Sequence, residues 1–278
     1  MPYLEKTTIQ HDADVSIYFE DQGKGQPVIL IHGWPLSGAM WEYQVPVLVE
    51  NGYRVITYDR RGFGKSSRPW NGYDYDSMAA DLKDLIEQLE LENVVLVGFS
   101  MGGGELAQYV DTYGTSKVDK LIFMSSIAPY LLKTDDNPHG APDDVFKGME
   151  EGIKNNRAGF LASFGPGFVN YEELKDRISQ AQLNYNFQIA IDASPKGTLD
   201  CINAFGRTDL RNALKKIDVP TLFIHGDADK IVPMEPSSKQ GHKIVSNSKL
   251  EIVKGAPHGL YVTHKHEINK LLLDFLLS

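Results

Sequence analysis

Short apolar runs alternate along the chain with amphipathic segments. PVILIHG, YRVITYD, NVVLVGF, KVDKLIFMS, PTLFIHGD and KLEIVKG are compact apolar stretches that end in turn residues. Runs of this length with little polar alternation suit strands buried on both faces, as in a parallel sheet. Near the start, KTTIQ and SIYFED predict two antiparallel strands. Helical spacing covers roughly residues 76–90, 101–113, 234–245 and 260–277. In DSMAADLKDLIEQLEL the apolar residues recur every three or four positions, and Asp76 stands where an N-cap belongs. Strands alternating with helices in this way predict a doubly wound α/β sheet.

The rhythm breaks between Pro129 and Lys216. No buried-strand run occurs there. Helical patterns are separated instead by DDNPHGAPDD, GPG and SPKG. Residues 129–216 are therefore expected to form a helical cap, inserted into a core made of residues 1–128 and 217–278. A length of 278 residues fits one large α/β domain with such an insertion. No repeat or low-complexity segment interrupts it.

Charge and cysteine content narrow the partners. The formal net charge of -9 argues against nucleic acid and anionic membranes. MPYLEKTTIQHDADV lacks the apolar core of a secretory signal, and no apolar run is long enough to cross a bilayer. The single cysteine, Cys201, cannot form an intrachain disulfide, so a reducing cytoplasm is expected. Cys201 lies mid-helix in LDCINAF with no glycine turn around it, which suits a small core residue rather than a nucleophile.

One serine stands apart. In VVLVGFSMGGGELAQYV an apolar strand meets a helix, with Gly98 two residues before Ser100 and Gly102 two residues after. This G-x-S-x-G pattern is that of a nucleophile elbow. A sharp strand-to-helix turn holds the serine in a strained conformation, and side chains two residues away would clash. The serine oxygen is then exposed at the carboxyl edge of the sheet, beside helix amides that favour developing negative charge. The alternative, a glycine-rich helix start with a capping serine, fits the flanking strand and helix less well. Neither dinucleotide nor P-loop spacing is present.

A serine needs a base oriented by an acid, and in this arrangement they follow in the order Ser, Asp/Glu, His. PTLFIHGDADKIVP offers Asp227 and Asp229, and KLEIVKGAPHGLYV offers His258. Asp229 is assigned as the acid and Asp227 as a turn residue that bonds the loop backbone. SSIAPY, the other loop where an acid could lie, has no carboxylate. His225 and His242 suit structural or exposed positions, and His139 a cap loop. His264 and His266 are two apart on the last helix, wrong for sharing a metal. No cofactor and no metal site is expected. Oxyanion donors are assigned to the amides of Met101 and of Trp34, the latter in VILIHGWPLSGAMW, where His32 braces the loop.

Taken together, HGWP, DRRGFGKSS, GFSMGGGE, HGDADKIVP and APHG resemble the α/β-hydrolase superfamily, and within it the bacterial aryl esterases and cofactor-free haloperoxidases, or perhydrolases. The resemblance spans nearly the whole chain. It implies a mostly parallel eight-stranded sheet flanked by helices, with Ser100 as nucleophile, Asp229 as acid and His258 as base. It implies that Asp59 and Arg61 fix the loop beside the site while Gly62 and Gly64 supply tight turns. Trp34, Pro35, Phe164, Phe205 and Ile231 are candidates for the pocket wall, with Phe168 a further cap aromatic. Perhydrolases of this family resemble one another in having proline after the oxyanion-loop tryptophan, here Trp34–Pro35. The implied substrates are small esters or carboxylic acids, with hydrogen peroxide as a second nucleophile, and homo-oligomers are among the implied assemblies. A lactamase or C–C bond hydrolase would use the same triad. Epoxide hydrolases and dehalogenases carry aspartate at the elbow, which Ser100 argues against. A non-enzymatic receptor on this fold would not need a complete triad.

Overall fold

The computed structural model describes residues 3–6, by backbone only, and 15–278. Its strands are β1 (Tyr3–Lys6), β2 (Val15–Gly23), β3 (Pro27–Ile31), β4 (Arg54–Tyr58), β5 (Val94–Phe99), β6 (Val118–Met124), β7 (Thr221–Gly226) and β8 (Ser248–Val253). They form one eight-stranded sheet in the order β1-β2-β4-β3-β5-β6-β7-β8. β2 changes partner along its length: Val15–Tyr18 pair antiparallel with β1, and Phe19–Gly23 pair antiparallel with β4. From β4 to β8 all neighbours are parallel. The mostly parallel sheet matches the expectation. Of KTTIQ, residues 7–10 lie outside the described residues, and the described strand β1 precedes them.

All six residues of β5 are buried, so the sheet's centre is covered on both faces. This explains its unbroken apolar sequence. In register, Ile31 pairs with Gly98, Phe99 with Met124, Met124 with Ile224, and Gly226 with Val253. The loops after β3, β5, β7 and β8 consequently open along one carboxyl edge, where open α/β sheets place their sites.

The helices are α1 (Val45–Glu50), α2 (Tyr75–Gln88), α3 (Met101–Tyr113), α4 (Asp143–Phe168), α5 (Gln180–Asp192), α6 (Pro195–Arg207), α7 (Arg211–Leu214), α8 (Ser238–Ile244), α9 (Leu260–Thr263) and α10 (Lys265–Leu276). Four of them, α4 to α7, lie between β6 and β7. α4 kinks at Asn156, whose side-chain oxygen caps the Gly159 amide at 2.9 Å. Among the described residues no helix is long and apolar enough to cross a membrane.

Three helix boundaries differ from the sequence pattern. The N-cap of α2 is Asp74, which accepts the Ser77 amide at 2.8 Å, while Asp76 sits in the first turn and accepts from Gln108 at 2.7 Å. α8 starts at Ser238 rather than near 234, because Pro233 and Pro236 disfavour helical backbone at the residues before them, Val232 and Glu235. The last helical stretch is broken at His264, whose backbone (φ -119, ψ 34) leaves the helical region.

Candidate active site

Ser100 follows β5 directly and has φ 53 and ψ -117, a region that L-residues rarely enter. The flanking glycines are sterically required. A side-chain carbon on Gly98 would lie 2.6 Å from the Gly102 carbonyl oxygen, and one on Gly102 would lie 2.5 Å from that of Ile31. Backbone bonds fix the turn: the Ser100 amide donates to Met124 at 2.9 Å, and the Ser100 carbonyl accepts the Gly103 amide at 3.0 Å.

The loops after β7 and β8 bring the two predicted partners to this serine. His258 Nε2 lies 2.9 Å from Ser100 Oγ, and His258 Nδ1 lies 2.7 Å from Asp229 Oδ2. A carboxylate is an acceptor, so Nδ1 carries hydrogen and the Nε2 lone pair receives the serine hydroxyl. All three side chains are buried. Phe99 and Phe168 enclose the imidazole, with centroids 5.1 and 4.9 Å away. Asp229 Oδ1 accepts the amides of Ile231 and Val232, both at 2.9 Å. Burial works to raise the Asp229 carboxyl, but His258 and His225 hold it well below the ordinary carboxylate range. Asp227 accepts the Gly255 amide at 2.6 Å and takes the turn role expected of it.

The loop after β3 approaches the elbow closely. A side-chain carbon at Gly33 would stand 3.0 Å from Ser100 Cβ. Met101 is the first residue of α3, so its amide has no intrahelical acceptor. Among the described residues, neither its amide nor that of Trp34 donates to a protein acceptor. Beneath this loop lies a buried polar network. His32 Nε2 accepts the Arg60 amide at 2.9 Å, and its Nδ1 donates to the Gly33 carbonyl at 2.9 Å. Burial and the Arg60 charge push the His32 pKa far down, so the ring stays neutral. Arg60 Nε meets Glu105 Oε2 at 2.6 Å, and the Tyr58 hydroxyl donates to the same carboxylate. Arg61 pairs with Asp81 at 2.6 Å, while Asp59 accepts the amides of Gly38 and Lys65 at 2.8 Å. Gly62 and Gly64 adopt positive φ (83 and 50), as turn residues do.

Ser100 and His258 open into a cavity of about 280 Å³ whose wall includes Trp34, Phe164, Phe205 and Ile231. Ile127, Leu131, Phe146, Met149, Phe160 and Phe168 complete an apolar lining. Pro35 does not belong to it. The Leu36 amide bonds back to Gly33 at 3.0 Å, which reverses the chain here. The indole faces the cavity, while the proline faces a separate small space lined by Leu36, Leu161 and Asn186. Cys201 is fully buried on α6, and burial pushes its thiol up to about 12.

Several contributors escape the sequence pattern. His225, expected from the sequence to be structural or exposed, is buried, and its Nε2 lies 3.2 Å from Asp229 Oδ2. Its spacing of four residues before the acid, in one strand-to-loop motif, was the available signal. Asn170, just past α4 with φ 47, donates to the Ala228 carbonyl at 2.9 Å. Lys230 reaches the cavity rim and pairs with Glu173 at 2.6 Å.

Comparison with known proteins agrees with the motif resemblance. A model of the α/β hydrolase fold family matches residues 26–265. A bromoperoxidase from Bacillus anthracis is 55% identical, covers 96% of this chain and 97% of its own, and superposes with a TM-score of 0.94. The non-heme chloroperoxidase CPO-A1 of Kitasatospora aureofaciens is 40% identical over 94% of this chain and 96% of its own length. The bifunctional esterase/perhydrolase DCH of Acinetobacter calcoaceticus is 38% identical over 95% and 97%, respectively. This chain belongs to the α/β-hydrolase fold family, within the group that contains non-heme haloperoxidases and esterase/perhydrolases.

Proposed function

We propose that this chain is a serine hydrolase of small carboxylic esters, aryl or short acyl, which also passes the acyl group to hydrogen peroxide. The observation that carries this reading is the unbroken pair of hydrogen bonds from Ser100 to His258 and from His258 to Asp229, at the floor of an apolar cavity. At about 280 Å³ the cavity is at the small end for ligand sites, which favours short acyl groups. Residues 129–216 act as a cap that supplies much of its wall, over a core of residues 1–128 and 217–278.

The geometry supports the following course. Ser100 Oγ bonds to the ester carbonyl carbon as its proton passes to His258 Nε2. The carbonyl π pair moves onto oxygen, and the amides of Trp34 and Met101 donate to that oxyanion. One such donor is worth about 3 kcal/mol. Collapse restores the carbonyl, breaks the ester C–O bond, and the departing alcohol takes the proton from His258. Water then loses a proton to His258 and attacks the acyl-enzyme. The second collapse returns the proton to Ser100 and releases the acid. Hydrogen peroxide in place of water gives a peracid, which hands an oxygen atom to halide and reverts to the acid.

The test is a panel of p-nitrophenyl esters of rising acyl length, each with and without hydrogen peroxide, together with organophosphonate labelling read by intact mass. Short esters should turn over fastest, peroxide should generate peracid, and one adduct should form that Ser100→Ala abolishes. An adduct retained in that variant, or mapped to Cys201, would sink the mechanism.

A further inference from the structure

At the end of β7, four residues before Asp229, the side chain of His225 is fully buried. Its Nε2 lies 3.0 Å from the Val232 carbonyl oxygen and 3.2 Å from Asp229 Oδ2. Both neighbours are pure acceptors, so Nε2 carries a hydrogen. Its Nδ1 lies 2.7 Å from the hydroxyl of Ser238, a buried residue at the start of α8. The Ser238 hydroxyl, which can donate or accept, is the partner of Nδ1.

Asp229 Oδ2 then lies against two ring nitrogens, His258 Nδ1 at 2.7 Å and His225 Nε2 at 3.2 Å, the latter sharing its hydrogen with the Val232 carbonyl, while Oδ1 receives the amides of Ile231 and Val232. A carboxylate filled in this way has one orientation. The other charged groups nearby are engaged elsewhere: Lys230 with Glu173, and Asp227 with the Gly255 amide.

We infer that His225 is a positioning residue for the acid of the triad. Its Nε2–H, turned to the acceptors Val232 O and Asp229 Oδ2, holds Oδ2 where it meets the His258 Nδ1–H. Ser238, His225, Asp229, His258 and Ser100 thus form one chain of polar contacts from α8 to the nucleophile. The inference rests on the triad reading proposed above. A ring that merely filled the core would contribute to stability and leave the base's chemistry alone.

The variants His225→Leu, His225→Gln and Ser238→Ala separate the two roles, assayed with a short p-nitrophenyl ester across pH. Leucine removes the donor. The expected result is a kcat lower by about ten- to a hundred-fold, the scale of losing a hydrogen bond to a charged group, with KM nearly unchanged. With one donor gone, the Asp229 charge acts more strongly on protonated His258, so the acid limb of kcat moves to higher pH. Glutamine keeps an N–H at nearly the same reach and should recover most of kcat and return the limb. Ser238→Ala should shift both in the same direction by less. If the leucine variant does not fold, the glutamine and alanine variants still carry the test. Folded variants with wild-type kcat and an unmoved limb would overturn the inference, as would a glutamine variant no better than leucine. Failure of the triad reading is distinct: the wild type itself would then take no organophosphonate at Ser100.

Discussion

Phe168 stands edge-on to His258, with ring centroids 4.9 Å apart at 87°, and its own carbonyl accepts the Gly259 amide at 2.8 Å. The end of α4 therefore holds the base loop by ring and by backbone at once. Two residues on, Asn170 holds the acid loop through the Ala228 carbonyl. One short stretch of chain fastens the loops that carry both His258 and Asp229.

Removing the ring tests this strap. Phe168→Ala should lower unfolding free energy by about 3–5 kcal/mol in a urea titration, the usual cost of emptying a buried phenylalanine site. It should also reduce kcat, because water reaches the imidazole and the base loop loosens. Phe168→Leu should retain most of the stability. A loss under about 1 kcal/mol for the alanine variant would mean that the ring does not brace the base.

The two aspartates of HGDAD should behave very differently. Asp229→Asn deprives His258 of its ionised partner and favours the wrong tautomer, so kcat should fall by about four orders of magnitude. Asp227→Asn disturbs only the bond to the Gly255 amide and should cost far less. Steady-state kinetics on one ester decides it, and a reversed order would reassign the acid.

Much of this site was legible in the sequence because its chemistry depends on local chain geometry. The elbow at Ser100 needs glycine at 98 and 102 for contacts made within one turn and with the adjacent strand. Asp229 and His258 were legible because each follows an apolar run that ends at the same sheet edge. What could not be read depends on contacts between distant segments. Glu105 lies on the first turns of α3, and nothing local reveals that it is buried against Arg60 and Tyr58. Asn170 and His225 act through neighbours that only the packed fold supplies. The N-cap of α2 was misplaced for a smaller reason: Asp74 and Asp76 are equally good caps, and backbone conformation alone selects Asp74.

Pro35 offers a test of the choice between water and peroxide. It does not line the cavity with Ser100, so any effect must pass through the backbone it shares with Trp34. Proline fixes its own φ and restricts the residue before it, which orients the Trp34 carbonyl. A carbonyl turned toward the acyl-enzyme would accept a hydrogen bond from peroxide as it attacks. Pro35→Leu should therefore lower the ratio of perhydrolysis to hydrolysis while plain ester hydrolysis persists. An unchanged ratio in a folded variant would remove Pro35 from peroxide selection.

The pH dependence should divide cleanly between His258 and Asp229. Burial tends to raise the Asp229 carboxyl, but its histidine partners hold it well below the ordinary carboxylate range. Asp229 is thus ionised across any pH at which the ester assay runs. The acid limb of kcat/KM should follow a single proton, the one that occupies His258 Nε2 and blocks it as a base. The stability consequence has the opposite reach. In the unfolded chain an aspartate titrates near pH ~3.9. A folded value below that stabilises the fold at all pH above it, and the contribution is lost as pH falls through the folded value. The difference in unfolding free energy between wild type and Asp229→Asn, measured in urea, should be smaller below about pH 4 than at about pH 5. A difference that remained level into that acid range would show that the Asp229 carboxyl is not held down in the folded protein.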